Sequence, residues 1–393
     1  MPDDDMPVPF EIAISDAQLA DLEARLENVR WPRPPEGAGS AAAWTYGSDL
    51  DYMRALVEHW RGAYDWRAAE RRLNGFANYR AQIDGQPLHF IHQKGSGNQA
   101  LPLLLSHGWP GSVAEFLDII APLADPEQFG GDDGDAFDVV VPSLPGYGFS
   151  GRPNEPIGTR TMAGLFHRLM TETLGYARYG TQGGDWGSMI ASWQGVDYPS
   201  AVAGVHINMV GLRPHIGADD PPLSEAEKAW LAGAAPKMRM ERGYREIQAT
   251  RPQTLGYALS DSPVGLAAWI VDKFRAWGDT GGDIASRFDL DLLLTNIMLY
   301  WLTGTADSAT WVYYASRADG SLALGPGERV TAPTGIAAFP VDLVPPPPRS
   351  WAERAYNVVH WTDMPAGGHF AALEEGERLV EDIRAFFRPL RER

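Results

Sequence analysis

The sequence predicts an α/β fold: a mostly parallel central sheet, interrupted by a helical insertion and preceded by a helical N-terminal extension. Three observations predict it. From about residue 100, apolar runs of strand length alternate with helical periods, the pattern of a sheet covered on both faces. Residues 213–329 lack comparable apolar runs and are rich in Trp, Tyr and Gly among helical periods. Before both, two helical patterns precede the first hairpin.

Taken in order, Ser15 to Val29 reads as an amphipathic helix with Leu19, Leu22, Leu26 and Val29 on one face and Ser15 with Gln18 as a capping box; Pro32, Pro34 and Pro35 end it. A second helix is expected from Leu50 to Trp60. The stretch YRAQIDGQPLHFIHQ reads as a β-hairpin turning at Asp84 and Gly85. LPLLLSHGW, FDVVVPSLPG, YGTQGGDW and VAGVHINM are candidate buried strands, and after the insertion PTGIAAFPVD and AYNVVHWTDM read as two further strands. Glu374 to Phe387 reads as a closing helix, and the PPPP run at 345–348 as a stiff turn. The expected division is an extension over 1–95 that ends in the first strands, core over 96–212, insertion over 213–329, and the rest of the core over 330–393.

Of the 393 residues, 44% are hydrophobic, enough for a large core. The net charge of −18, without a basic cluster, argues against nucleic acid or an anionic membrane surface as partner. With no cysteine, disulfides, thiolate metal sites and a Cys nucleophile are excluded. The acidic start MPDDDMPVPFEIAIS has no signal-peptide pattern, and no stretch approaches the roughly 20 apolar residues of a membrane span. The expectation is a soluble, cytoplasmic protein acting on a small molecule.

The string GTQGGDWGSMIASWQG has the small-residue frame of a nucleophile elbow, with Asp185 where GxSxG places serine. Gly183, Gly184 and Gly187 suit the tight turn; the alternative is an ordinary glycine-rich turn with Asp185 as helix N-cap. HGWPGS at 107–112 follows an apolar strand, where an α/β-hydrolase supplies an oxyanion-hole N–H, although a simple Trp-Pro turn has the same look. His369, in GGHF after the last strand, stands where that fold keeps its base. The order nucleophile, acid, base calls for an acid between them; Asp342 closes a strand and is preferred, with Asp363, Glu374 and Glu375 competing. A carboxylate nucleophile points to substitution at a saturated carbon, because it forms an ester that activated water can cleave, whereas serine would form an ether.

Together these strings resemble the epoxide hydrolases of the α/β-hydrolase fold, specifically the microsomal and juvenile-hormone branch. FEIAISDAQLADLEARLENVRWP is similar to that branch's N-terminal extension, DSPVGLAAWIVDKF and LLLTNIMLYWLTGT to its cap, and AAFPVD and GGHFAALEE to its acid and base segments. The resemblance implies Asp185 as nucleophile, His369 as base and Asp342 as the acid that orients it. It also implies two cap tyrosines as proton donors, at Tyr244 and Tyr313, with Tyr314 the alternative if the register slips by one. Backbone N–H groups of Trp109 and Trp186 would form the oxyanion hole. The implied partners are an epoxide and water, with no cofactor or metal, and a homodimer is compatible. An anchor-free member is expected, since the extension begins near residue 9.

A haloalkane dehalogenase shares the Asp nucleophile but would use N–H donors for halide in place of phenols, and a non-catalytic small-molecule binder is the rival of another class. Trp230, Trp269, Trp277 and Trp301 hint at a bulky or aromatic substrate while also suiting a core. His89 and His92, three apart on a strand, make a poor metal chelate. GGDDGD at 130–135 and GDTGGD at 278–283 read as solvated loops.

Overall fold

The computed structural model describes residues 6–33, 35, 43–97, 99–218 and 220–391. Pro34, one of the residues expected to end the first helix, lies outside them. Nine strands form one sheet: β1 Val8–Pro9, β2 Asn78–Ile83, β3 Gln86–Gln93, β4 Leu101–Ser106, β5 Phe137–Pro142, β6 Tyr179–Gly183, β7 Val202–Ile207, β8 Val330–Ala338 and β9 Tyr356–Asp363. Their spatial order is β1-β2-β3-β5-β4-β6-β7-β8-β9. From β5 through β9 every neighbouring pair is parallel, and β1, β2 and β3 extend the β5 edge antiparallel. The β2–β3 hairpin closes with Ile83 opposite Gln86, and both turn residues, Asp84 and Gly85, have positive φ, as the tight right-twisted connection demands.

Burial on both faces explains why the central strands are nearly unbroken apolar runs. On β7, Val205 meets Gly195 of the helix Asp185–Asp197, while its neighbour Gly204 faces Phe386 of the helix Gly376–Phe387, so successive residues serve opposite layers. Thr159–Arg168 joins the first layer and Leu117–Ala124 the second.

Among the described residues, six α-helices lie between β7 and β8: Glu225–Glu241, Gly243–Gln248, Pro252–Asp261, Pro263–Trp277, Leu290–Leu302 and Trp311–Ala318. Two helices from the start of the chain pack against this group. Asp16–Glu27 opens with the Ser15/Gln18 capping box and buries Leu22 and Leu26; Leu50–Gly62 buries Met53, Leu56, Val57 and Trp60. Both contact Pro263–Trp277, and the second also contacts Leu290–Leu302.

Two expectations need correcting. The closing helix does not run from Glu374: a four-residue helix Ala371–Glu374 stops there, Glu375 adopts φ −142°, and the long helix starts at Gly376. Glu374 instead accepts the backbone N–H groups of Phe370 and Asp279, a tertiary demand that outweighs its helix propensity. The acidic Gly-rich runs are not simply solvated. Asp135 is buried and paired with Arg388, and Asp279 pairs with Arg287 and accepts the Gly367 N–H.

Candidate active site

β6 runs into the helix Asp185–Asp197 through a turn in which Asp185 has φ 46°, a left-handed conformation that a non-glycine residue adopts at a cost. The turn is close-packed: a Cβ on Gly187 would stand 1.8 Å from the Ser106 carbonyl oxygen, and one on Gly183 would stand 2.3 Å from the Gly187 carbonyl carbon. Asp185 is thereby exposed to the space above the sheet, at a helix N-terminus whose partial positive charge favours a carboxylate. Its Oδ1 accepts the Trp109 backbone N–H at 2.8 Å.

The loops after β8 and β9 bring in the next two groups. His369 Nδ1 lies 2.6 Å from Asp342 Oδ1, and His369 Nε2 lies 3.4 Å from Asp185 Oδ2. Asp342 is itself held by the Leu343 N–H at Oδ1 and by Lys237 Nζ at its carbonyl oxygen. Burial works against an imidazolium here, but the carboxylates of Asp342 and Asp185 override it and raise the His369 pKa well above the usual range. The competing acids go elsewhere. Asp363 accepts from the Trp361 indole, Glu374 from backbone, and Glu375 pairs with Arg287.

Over Asp185 the helices between β7 and β8 place an aromatic cluster. Tyr244 and Tyr313 are 6% and 3% exposed, with ring centroids 5.8 Å apart. Tyr244 stacks on Trp109 at 5.2 Å, and Tyr313 stands edge-on to Trp186 at 4.6 Å. Burial, with Asp185 nearby, pushes both phenols up, so each keeps its proton at neutral pH. Among the described residues the buried Tyr313 hydroxyl has no hydrogen-bond partner. Tyr314 points outward at 45% exposure.

The comparisons with known proteins agree over nearly the full length. A family model described as "Epoxide hydrolase N terminus" matches residues 7–116, and one for the alpha/beta hydrolase fold matches residues 102–246. Epoxide hydrolase 1 of Sus scrofa is 37% identical over 409 residues, covering 96% of this chain and 88% of the pig protein. The chain belongs to the epoxide hydrolase family. Juvenile hormone epoxide hydrolase 2 of Ctenocephalides felis is 36% identical, covering 95% of this chain and 84% of its own. The solved structure of Aspergillus niger epoxide hydrolase superposes with TM-score 0.84 at 33% identity, covering 98% of this chain and 96% of that one. These relatives place the present enzyme in the α/β-hydrolase fold, with the sheet and helices described above.

In this epoxide hydrolase, other parts of the site lie far apart in sequence. Trp277 packs 5.0 Å from the His369 ring, and its carbonyl accepts the His369 N–H. Of the four tryptophans singled out earlier, it alone joins the cluster. Trp230 packs at a tilt against Trp351, Trp269 donates to Gln248, and Trp301 lies under Arg25. Beside Asp185 and His369, a recess of about 10 Å³ is lined also by Gly108, Trp109, Glu115 and Asn208. Glu115 gave no sequence signal: with Asp118 at i+3 it reads as the solvated face of a helix. His89, buried between Ser143 and Asn78, and His92, bonded to Tyr176, are structural. Among the described residues no cluster suits a metal ion, and no helix is long and apolar enough to cross a membrane.

Proposed function

We propose that this enzyme opens an epoxide through a covalent ester on Asp185 and hydrolyses that ester to a vicinal diol. The observation that carries the reading is the placement of Asp185. One oxygen is occupied by the Trp109 N–H, the other faces His369 Nε2 at 3.4 Å, and two protonated phenols stand above. Oδ2 attacks an epoxide carbon as the ring C–O bond breaks, and a phenol of Tyr244 or Tyr313 gives its proton to the departing oxygen. Tyr314, turned outward, supports no such role. Oδ1 becomes the ester carbonyl oxygen, already in the oxyanion hole that Trp186 N–H would complete.

Esterification removes one of the two carboxylates that raise the His369 pKa. The imidazolium can then lose its Nε2 proton to solvent and the neutral ring serve as base, with Asp342 holding its Nδ1–H; the ring takes a proton back from solvent when the Asp185 carboxylate is restored. Water attacks Cγ of Asp185 and passes one proton to His369, which returns it to the leaving alkoxide. The second proton of that water passes from the Asp185 carboxyl to the tyrosinate, so the cycle consumes one water per diol. The walls of Trp109, Trp186 and Trp277 favour an apolar or aromatic epoxide over a halide, since the buried donors are phenols.

The test is mass spectrometry of the intact protein and of its Asp185 peptide after brief mixing with styrene-type and polycyclic epoxides, in wild type and His369→Gln. An adduct of the epoxide's mass on Asp185 is expected to persist in the variant while wild type turns it over to diol. Diol production without any adduct in the variant would rule out the ester route, and halide release from haloalkanes would favour a dehalogenase.

A further inference from the structure

The mechanism above uses the Asp185 carboxylate and leaves a second carboxyl in the same recess without a task. Glu115 belongs to the short turn Val113–Phe116 that follows the oxyanion loop. It forms no ion pair among the described residues, and its side chain helps line the recess together with Asp185, His369 and Asn208. We propose that Glu115 positions the water that hydrolyses the Asp185 ester, an inference that rests on the ester reading.

Size, access and rigidity support it. The recess, about 10 Å³, has room for about one water and is lined at once by the Asp185 side chain, the base and the Trp109 loop. Glu115 reaches it because residue 111 is glycine: a Cβ there would stand 1.3 Å from Glu115 Oε1 and 2.5 Å from its Cδ. The loop is pinned from the helix Leu290–Leu302, where Asn296 donates to the Pro110 carbonyl at 2.7 Å and Tyr300 to the Gly111 carbonyl at 2.5 Å. Burial holds the Glu115 carboxyl up to about 8, so at neutral pH it is protonated and offers one acceptor and one donor. A neutral acid also leaves His369 free to take the water's proton, because it adds no charge that would retain the imidazolium.

Rapid-quench mass spectrometry with styrene oxide separates ester formation from ester hydrolysis in wild type, Glu115→Ala, Glu115→Gln and Gly111→Ala. The alanine at 111 keeps the glutamate but evicts its carboxyl from the recess, so it tests placement independently of a fold defect caused by losing Glu115. Expected are near-normal ester formation and hydrolysis slowed roughly 10–100-fold in Glu115→Ala and Gly111→Ala. Glu115→Gln, which keeps an acceptor and a donor, should recover part of the loss. A purely structural role would slow both steps together or neither, and either pattern overturns the proposal while leaving the ester reading intact. Wild type that forms no ester with any epoxide of the panel overturns both.

Discussion

Asp185 is the residue on which the site turns, and its strained φ of 46° shows what the fold spends to expose one carboxylate. Two predictions belong at this scale. Tyr313→Phe removes a buried hydroxyl without a hydrogen-bond partner among the described residues, so it should slow ester formation by roughly 10²-fold or more while a preformed ester hydrolyses at nearly its normal rate. Single-turnover traces that show equal slowing of both steps would count against a proton-donor role. The second concerns His369, whose pKa is raised in the free enzyme by Asp342 and Asp185. Its contribution to stability is therefore complete below about pH 6.5 and lost as pH rises through the raised value. With Asp185 esterified, the pKa governing hydrolysis should lie below that of His369 in the free protein. NMR titration of the free enzyme against the pH profile of single-turnover hydrolysis checks the order, and coincident values would contradict it.

At the scale of elements, the helix Glu225–Glu241 is tied to the core by one buried ion pair. Glu227, 1% exposed at its side chain, closes a capping box with Ser224 and bonds Arg354 twice at 2.9 Å, while Arg354 also holds the carbonyls of Pro221 and Pro222. Arg354→Ala leaves that carboxylate buried and unpaired and should cost about 3 kcal/mol or more, measured by urea unfolding. Arg354 lowers the Glu227 pKa to about 2 from 4.5. The stabilisation is therefore present above about pH 4.5 and is lost as pH falls through about 2, a dependence that Arg354→Ala should weaken, the Ser224 N–H remaining as a smaller contributor. The same helix supplies Lys237 to the Asp342 carbonyl, so its attachment also bears on the carboxylate that pairs with His369.

For the whole molecule, the N-terminal helices act as a clamp on the helices above the sheet. Tyr64 bonds Thr295, Ser48 donates to the Ala268 carbonyl, and Gln18 donates to the Leu302 carbonyl, each joining the extension to the helices that carry Trp277, Asn296 and Tyr300. Trp60, on the buried face of the helix Leu50–Gly62, is 4% exposed. Trp60→Ala should cost about 3–5 kcal/mol in urea unfolding. Because the extension and the aromatic cluster share one packed body, intrinsic tryptophan fluorescence and far-UV circular dichroism should report a single coincident transition; two separate ones would mean the clamp is an independent unit.

What could be read from the amino acids alone was whatever depends on near neighbours in the chain. The apolar runs of β4 to β7 announce strands covered on both faces, Ser15 with Gln18 announces a helix start, and Asp84-Gly85 announces a hairpin, because each pattern is satisfied within a few residues. The strings around Asp185, Asp342 and His369 were also visible, since an elbow and two post-strand loops have local signatures, and the structure brings these residues together. Tertiary contacts decided the rest. Only they turn Tyr313 inward and Tyr314 outward, stop a helix at Glu374 so that it can bond Phe370 and Asp279, bury Asp135 against Arg388, and set Glu115 beside Asp185 over the space left by Gly111. In each case the burial or hydrogen bond that stabilises the choice comes from a partner remote in sequence or across a turn, and no local pattern encodes it.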